Sequence, residues 1–208
     1  MERYLRCMKE LNNWDFVYDY AKAYCDSYLQ LESAWHLPNW EAMKEALNSV
    51  EYSYPKEDTW KVTLYGGFIL ICNPDPDKPI KFTEKYVESA TTLCLNEWRR
   101  LPHIVSHIHL QYLRAAQQIM ELQEAYQIHK CLLQNHQNSI HDMKATVKTW
   151  RNRLPVIADD LTHWNDIFTW RQQHYQYIVR HYESLQETSH TNSMLGVHAS
   201  AQVSYNFQ

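Results

Sequence analysis

Residues 103–126 read HIVSHIHLQYLRAAQQIMELQEAY. Ile104, Ile108, Tyr112, Ala115, Ile119, Leu122 and Tyr126 recur there at steps of four and three, which puts an apolar side chain on one face of every helical turn. No proline or glycine interrupts the chain from His103 to Leu154, so the first break is the polar run Gln134 to Ser139. The spacing predicts a helix over 103–134. Met143, Val147, Trp150 and Leu154 form a second stripe and predict a helix over 141–153, ended by Pro155. A third stripe, Leu161, Trp164, Phe168, Tyr175, Ile178 and Tyr182, has Arg171 at its one charged step and predicts a helix over 160–183.

The same theme runs upstream at shorter length. Asn13-Trp14-Asp15 and Asn39-Trp40-Glu41 each offer a capping side chain, a large aromatic and an acid, the signature of a helix start. The two starts lie 26 residues apart, with room between them for two short helices and their turns, and so predict stacked helical hairpins. Three prolines between Pro74 and Pro79 place a loop near 73–80, and a second loop is expected near 134–140. Beyond Glu183 the periodicity fades. Residues 184–208 are therefore expected to be largely irregular, an apparently truncated end to a helical-repeat segment spanning 1–203. Trp98 and Trp164 are expected to be buried anchors.

Composition narrows the chemistry. The chain has 208 residues, 45% of them apolar, with 20 Lys+Arg against 24 Asp+Glu, which is enough for a core and too balanced for a basic nucleic-acid module. Its three glycines, Gly66, Gly67 and Gly196, cannot write a phosphate loop, a dinucleotide fingerprint or a nucleophile elbow, all of which need glycine where a side chain would collide. A kinase catalytic loop and a DFG triplet are absent as well. The five cysteines are scattered and never form C-x-x-C, a usage that fits a reducing, intracellular compartment. No run of 18 apolar residues exists, and no signal-peptide pattern opens the chain.

Three constellations could carry function. His103, His107 and His109 include an i, i+4 pair, but no Glu or Cys completes a metal set, so these histidines are expected to cap or line a helix. Asp159-Asp160 could pass for a catalytic acid pair. Neighbours on a helix point about 100° apart, however, and these two are expected to be first-turn acids favouring the helix dipole. Lys144, Lys148, Arg151 and Arg153 put four cations and no acid into ten residues. That row reads either as a solvated helix face or as a docking surface for an acidic partner segment.

The strings NEWRRLPHIVSH (96–107), TWRNRLP (149–155) and MLGVHASA (194–201) are more specific. With Asp159-Asp160-Leu161, His163-Trp164, Ile167-Phe168, Trp170-Arg171-Gln172 and His174-Tyr175-Gln176, they resemble the FAT region of the phosphatidylinositol-3-kinase-related family, in its pseudokinase branch. The resemblance runs from about Leu11 to Val203. It implies an all-α, partial α-solenoid of TPR- or HEAT-like hairpins in a nuclear, non-catalytic scaffold. The partners implied are subunits of histone acetyltransferase complexes and transcription activators, with no cofactor, metal, membrane or nucleic acid. Two other readings stay open: a segment bracing the kinase domain of an active relative, and a free-standing TPR-like adaptor that binds peptide.

Overall fold

The turns of the first forty residues have no slack, because each residue that starts a helix also ends the one before it. In the computed structural model, which describes residues 2–53, 59–74, 81–133, 139–181 and 183, α1 (Glu2–Glu10) and α2 (Trp14–Ala23) end on Asn12 and Cys25 in the left-handed conformation, at φ 56° and 54°. The next residue closes the turn: the Asn13 N–H donates to Met8 O and the Asp26 N–H to Ala21 O. The side chains of Asn13 and Asp26 then accept the N–H groups of Phe16 and Leu29, capping α2 and α3 (Ser27–His36). Asn39 repeats the device, its N–H donating to Ala34 O while its side chain caps α4 (Trp40–Ser53) through Ala42 N–H. The starts predicted at Asn13 and Asn39 are both present, with Asp26 midway between them.

α5 (Trp60–Cys72), α6 (Phe82–Arg99), α7 (His107–Leu133), α8 (Ser139–Asn152) and a ninth helix, α9, over residues 161–181 complete the described chain. Every regular element among the described residues is a helix. Each helix from α1 to α8 packs on its neighbour in sequence, and α3, α5 and α7 also pack on one another in order. The result is a two-layered stack of hairpins, the α-solenoid expected of the family resemblance. α5 is buried on every side from Val62 to Cys72. Its two glycines make that possible: a Cβ at Gly66 would lie 2.6 Å from the Tyr86 ring of α6, and one at Gly67 would lie 2.5 Å from Leu122 of α7. α9 returns across the stack. Trp170 stacks on Phe68 of α5, which stacks on Trp35 of α3, and Gln173 Nε2 donates to Trp35 O. Trp150 of α8 closes this aromatic column.

The helices fall where periodicity puts them, but several faces are turned. α7 starts at His107 rather than at 103, because the His109 ring reaches back to accept the Ser106 N–H and so fixes the start. Ile104 and Ile108 are consequently exposed, and the buried stripe of α7 begins further along, with Ala115, Ile119, Leu122 and Tyr126. On α9 the buried face is His163, Ile167, Trp170, His174 and Ile178, whereas Leu161, Phe168 and Tyr175 face outward. Trp170 sets that rotation by joining the Trp35–Phe68 column, and it carries His174 and Gln173 inward with it. Trp98 is 39% exposed and Trp164 half-buried, so neither is the anchor expected; Trp35 and Trp170 hold that place. Of the two predicted loops, 75–80 and 134–138 lie outside the described residues, as does the segment 184–208. Ser139 and Ile140 already belong to α8.

Candidate partner-docking surface

α8 is held to the stack by its C-terminal half. Trp150 is buried and its Nε1 donates to Glu124 of α7 at 2.7 Å; Arg153 reaches the same carboxylate oxygen at 2.9 Å. Gln117 of α7 donates to Arg153 O. Arg153 is therefore committed to holding α8 in place. Lys144, Lys148 and Arg151, by contrast, are exposed and form no ion pair among the described residues. Steps of four and three bring these three to one side of α8. Of the four cations singled out in the sequence, the structure presents three together and withdraws the fourth.

Beside this row lies an open groove of about 590 Å³ between α8 and α9. Val147, Trp150 and Leu154 form one wall; Phe168, Tyr175 and Ile178 form the other, with Arg151 at the lip. Val147 is 51% exposed, Phe168 50% and Tyr175 66%, so residues whose spacing predicts core are the lining of an uncovered surface. The far wall stands on Arg171. Its guanidinium donates twice to Glu121 of α7, at 3.0 and 2.6 Å, and lies over the Trp150 ring. The single charged step in the α9 stripe is thus a buried ion pair between helices, a role that spacing alone gave no means of seeing.

The other constellations resolve as structure. His109 is buried, accepts the Ser106 N–H at Nδ1, donates from Nε2 to Pro102 O, and sets its ring edge against Trp98. His103 and His107 are exposed, and the first precedes the helix, so the i, i+4 pair does not form. Among the described residues no group of three His, Cys, Asp or Glu is placed to hold a metal ion. Asp159 and Asp160 precede α9 instead of riding its first turn, and for that reason they do converge: both reach Arg114 of α7, at 3.2 and 2.8 Å. The Val156 N–H, and then Arg114, hold the Asp159 carboxyl below the usual range. This pair ties the 154–160 turn to α7.

Elsewhere charge is buried in neutralised groups. Glu32 of α3 takes Lys9 at 2.6 Å and Lys61 at 2.8 Å. Burial alone would push its carboxyl up, but the two ammonium groups outweigh that and hold it at about 2. His129 of α7 and His174 of α9 are buried. Burial, reinforced by nearby imidazoles, pushes His129 down to about 4 and His174 down to about 3. The Tyr177 hydroxyl meets His129 Nε2. No helix of the described residues is long and apolar enough to cross a membrane.

Comparison with known proteins places this architecture. The chain is 55% identical over 206 residues to Transcription-associated protein 1 of Drosophila melanogaster, a match covering 98% of this chain and 5% of that protein. It is 53% identical to Transformation/transcription domain-associated protein of Mus musculus, over 96% of this chain and 8% of the relative. It is 30% identical to SAGA complex/NuA4 acetyltransferase complex subunit TRA1 of Saccharomyces cerevisiae, over 95% of this chain and 6% of that subunit. The chain thus spans less than a tenth of the length of these relatives. Residues 27–207 match the FAT domain model, which takes in every helix from α3 to α9 and both walls of the groove, so the chain belongs to the FAT domain family.

Proposed function

We propose that this chain is a non-catalytic scaffold segment of a nuclear subunit of histone acetyltransferase complexes, and that it supports complex assembly and recruitment of transcription activators. The observation that carries the reading is similarity along nearly the whole chain to a yeast protein named as a subunit of the SAGA complex and the NuA4 acetyltransferase complex. The physical character of the chain agrees with it. Its polar clusters tie separate parts of the stack together: Glu32 with two lysines and Glu121 with Arg171 join helix to helix, and Glu124 with Arg153 joins α7 to the end of α8.

Within this role, Lys144, Lys148 and Arg151 receive an acidic segment of a partner protein. Exposed charge of one sign chiefly accelerates encounter, so its effect belongs in the association rate and fades with salt. The test tags the full-length gene product in cells, purifies its complex, and compares wild type with the triple reversal Lys144→Glu, Lys148→Glu, Arg151→Glu. Acetyltransferase subunits should co-purify with the tagged wild type, and their absence would overturn the scaffold reading. The reversal should slow association with a fluorescent acidic activation peptide several-fold at low salt and much less at high salt. Equal rates at every ionic strength would remove the docking role and leave the scaffold role standing.

A further inference from the structure

The groove between α8 and α9 is apolar, open, and built from side chains that the sequence spaces as though for a core. A wall of Val147, Leu154, Phe168 and Tyr175 left to water would forfeit the burial that such residues normally supply. Something of matching character belongs there. Three observations identify it. First, the FAT domain match does not end with α9 but runs on to residue 207. Second, every helix from α1 to α8 packs on the helix next to it in sequence, so the partner expected for α9 is the segment that follows it. Third, although the long apolar stripe of α9 fades beyond Glu183, residues 191–208 contain no Asp, Glu, Lys or Arg, and Met194, Val197, Ala201 and Tyr205 still recur there at steps of three, four and four. An uncharged segment that carries an apolar side chain at every helical turn suits the groove floor. The cation row on the outer side of α8 suits an acidic chain and would gain nothing from this one.

We propose that residues 191–205 of this chain are the occupant of the α8–α9 groove, lying antiparallel to α9 with Met194, Val197, Ala201 and Tyr205 against Val147, Phe168 and Tyr175. The dimensions agree. The α9 wall from Phe168 to Ile178 is about 15 Å long, and fifteen residues of helix extend about 22 Å. Residues 184–190 are enough for the reversal, since helix-to-helix connections commonly take two to eight residues. The inference goes beyond the scaffold reading and is independent of any complex the chain joins.

The test uses the full chain. Hydrogen exchange is followed by mass spectrometry in wild type and in the double variant Val147→Glu, Tyr175→Glu, with sedimentation recorded on both. Two positions this exposed among the described residues tolerate glutamate unless another segment covers them, and the α5 and α7 amides report whether the stack itself survives. In a monomeric wild-type chain, amides across 191–205 should exchange at least ~10-fold more slowly than free peptide. In the variant that protection should vanish while α5 and α7 keep theirs. Free-peptide exchange across 191–205 in the wild type would overturn the proposal and leave the groove to another protein. Protection that survives the double variant would also overturn it. Protection that rises with concentration alongside a dimer would assign the groove to a second copy instead.

Discussion

Glu121 has no exposed surface, and a carboxylate so placed is tolerable only because Arg171 closes on it through two hydrogen bonds and Gln117 adds a third. Removing one partner is the costly change. Arg171→Leu should destabilise the chain by about 3–5 kcal/mol in a denaturant titration, and adding Glu121→Leu should recover most of that loss, because the uncompensated charge goes with it. A double variant no more stable than Arg171→Leu alone would show that the pair acts through packing. The buried imidazoles make a second prediction at this scale. His129 and His174 have folded values of about 4 and about 3, below the ordinary 6.5, so the unfolded chain binds more protons between these limits. Stability is therefore full above pH 6.5 and declines as pH falls toward 4, by at most about 1.4 kcal/mol per pH unit for each histidine. Melting temperature measured from pH 7 to 4.5 should drop, and less steeply in His174→Gln. A flat profile would mean that neither imidazole is buried in the neutral form.

At the scale of the element, Asn13, Asp26 and Asn39 sit thirteen residues apart, each ending one helix and starting the next. Asp26→Ala should cost about 1 kcal/mol through the lost cap, and should lower protection of the first turn of α3 before that of any other helix. Asn13 and Asn39 were legible because a tryptophan and an acid follow each. Asp26 was not, since Ser27-Tyr28 lacks that signature although the side chain does the same work. Periodicity likewise located α7, α8 and α9, because a 3.6-residue repeat needs no knowledge of the neighbours. Which face each helix buries was less legible. Phe168 and Tyr175 look like core by spacing, whereas His174 and Gln173 become core only through the position of Trp35, more than 130 residues earlier. The glycines of α5 show the same dependence on distant partners. Gly67→Ala should destabilise by about 1–3 kcal/mol because its Cβ meets Leu122, and Leu122→Ala in the same chain should cost less than it does alone.

At the scale of the molecule, a stack of hairpins whose contacts reached only adjacent repeats would melt piecemeal. Here α9 bears on α3, α5, α7 and α8 together, so the array is fastened across its length. Trp170→Ala should cost about 3–5 kcal/mol and should accelerate amide exchange in α3 as well as in α9, a coupling that nearest-neighbour packing would not produce. The candidate site follows the same logic: its cations could be read from sequence, but the groove beside them exists only because α9 turns Trp170 inward. The fastening also imposes an order of events during synthesis. The Trp35 carbonyl waits for Gln173, 138 residues downstream. At ordinary elongation rates the ribosome needs roughly 7–28 seconds to deliver it. Until then the indole of Trp35, joined by the ring of Phe68 once α5 has been made, presents an unfinished aromatic surface. Nascent chains arrested before residue 161 should therefore engage a hydrophobic-binding chaperone, and chains arrested once α9 has emerged should release it.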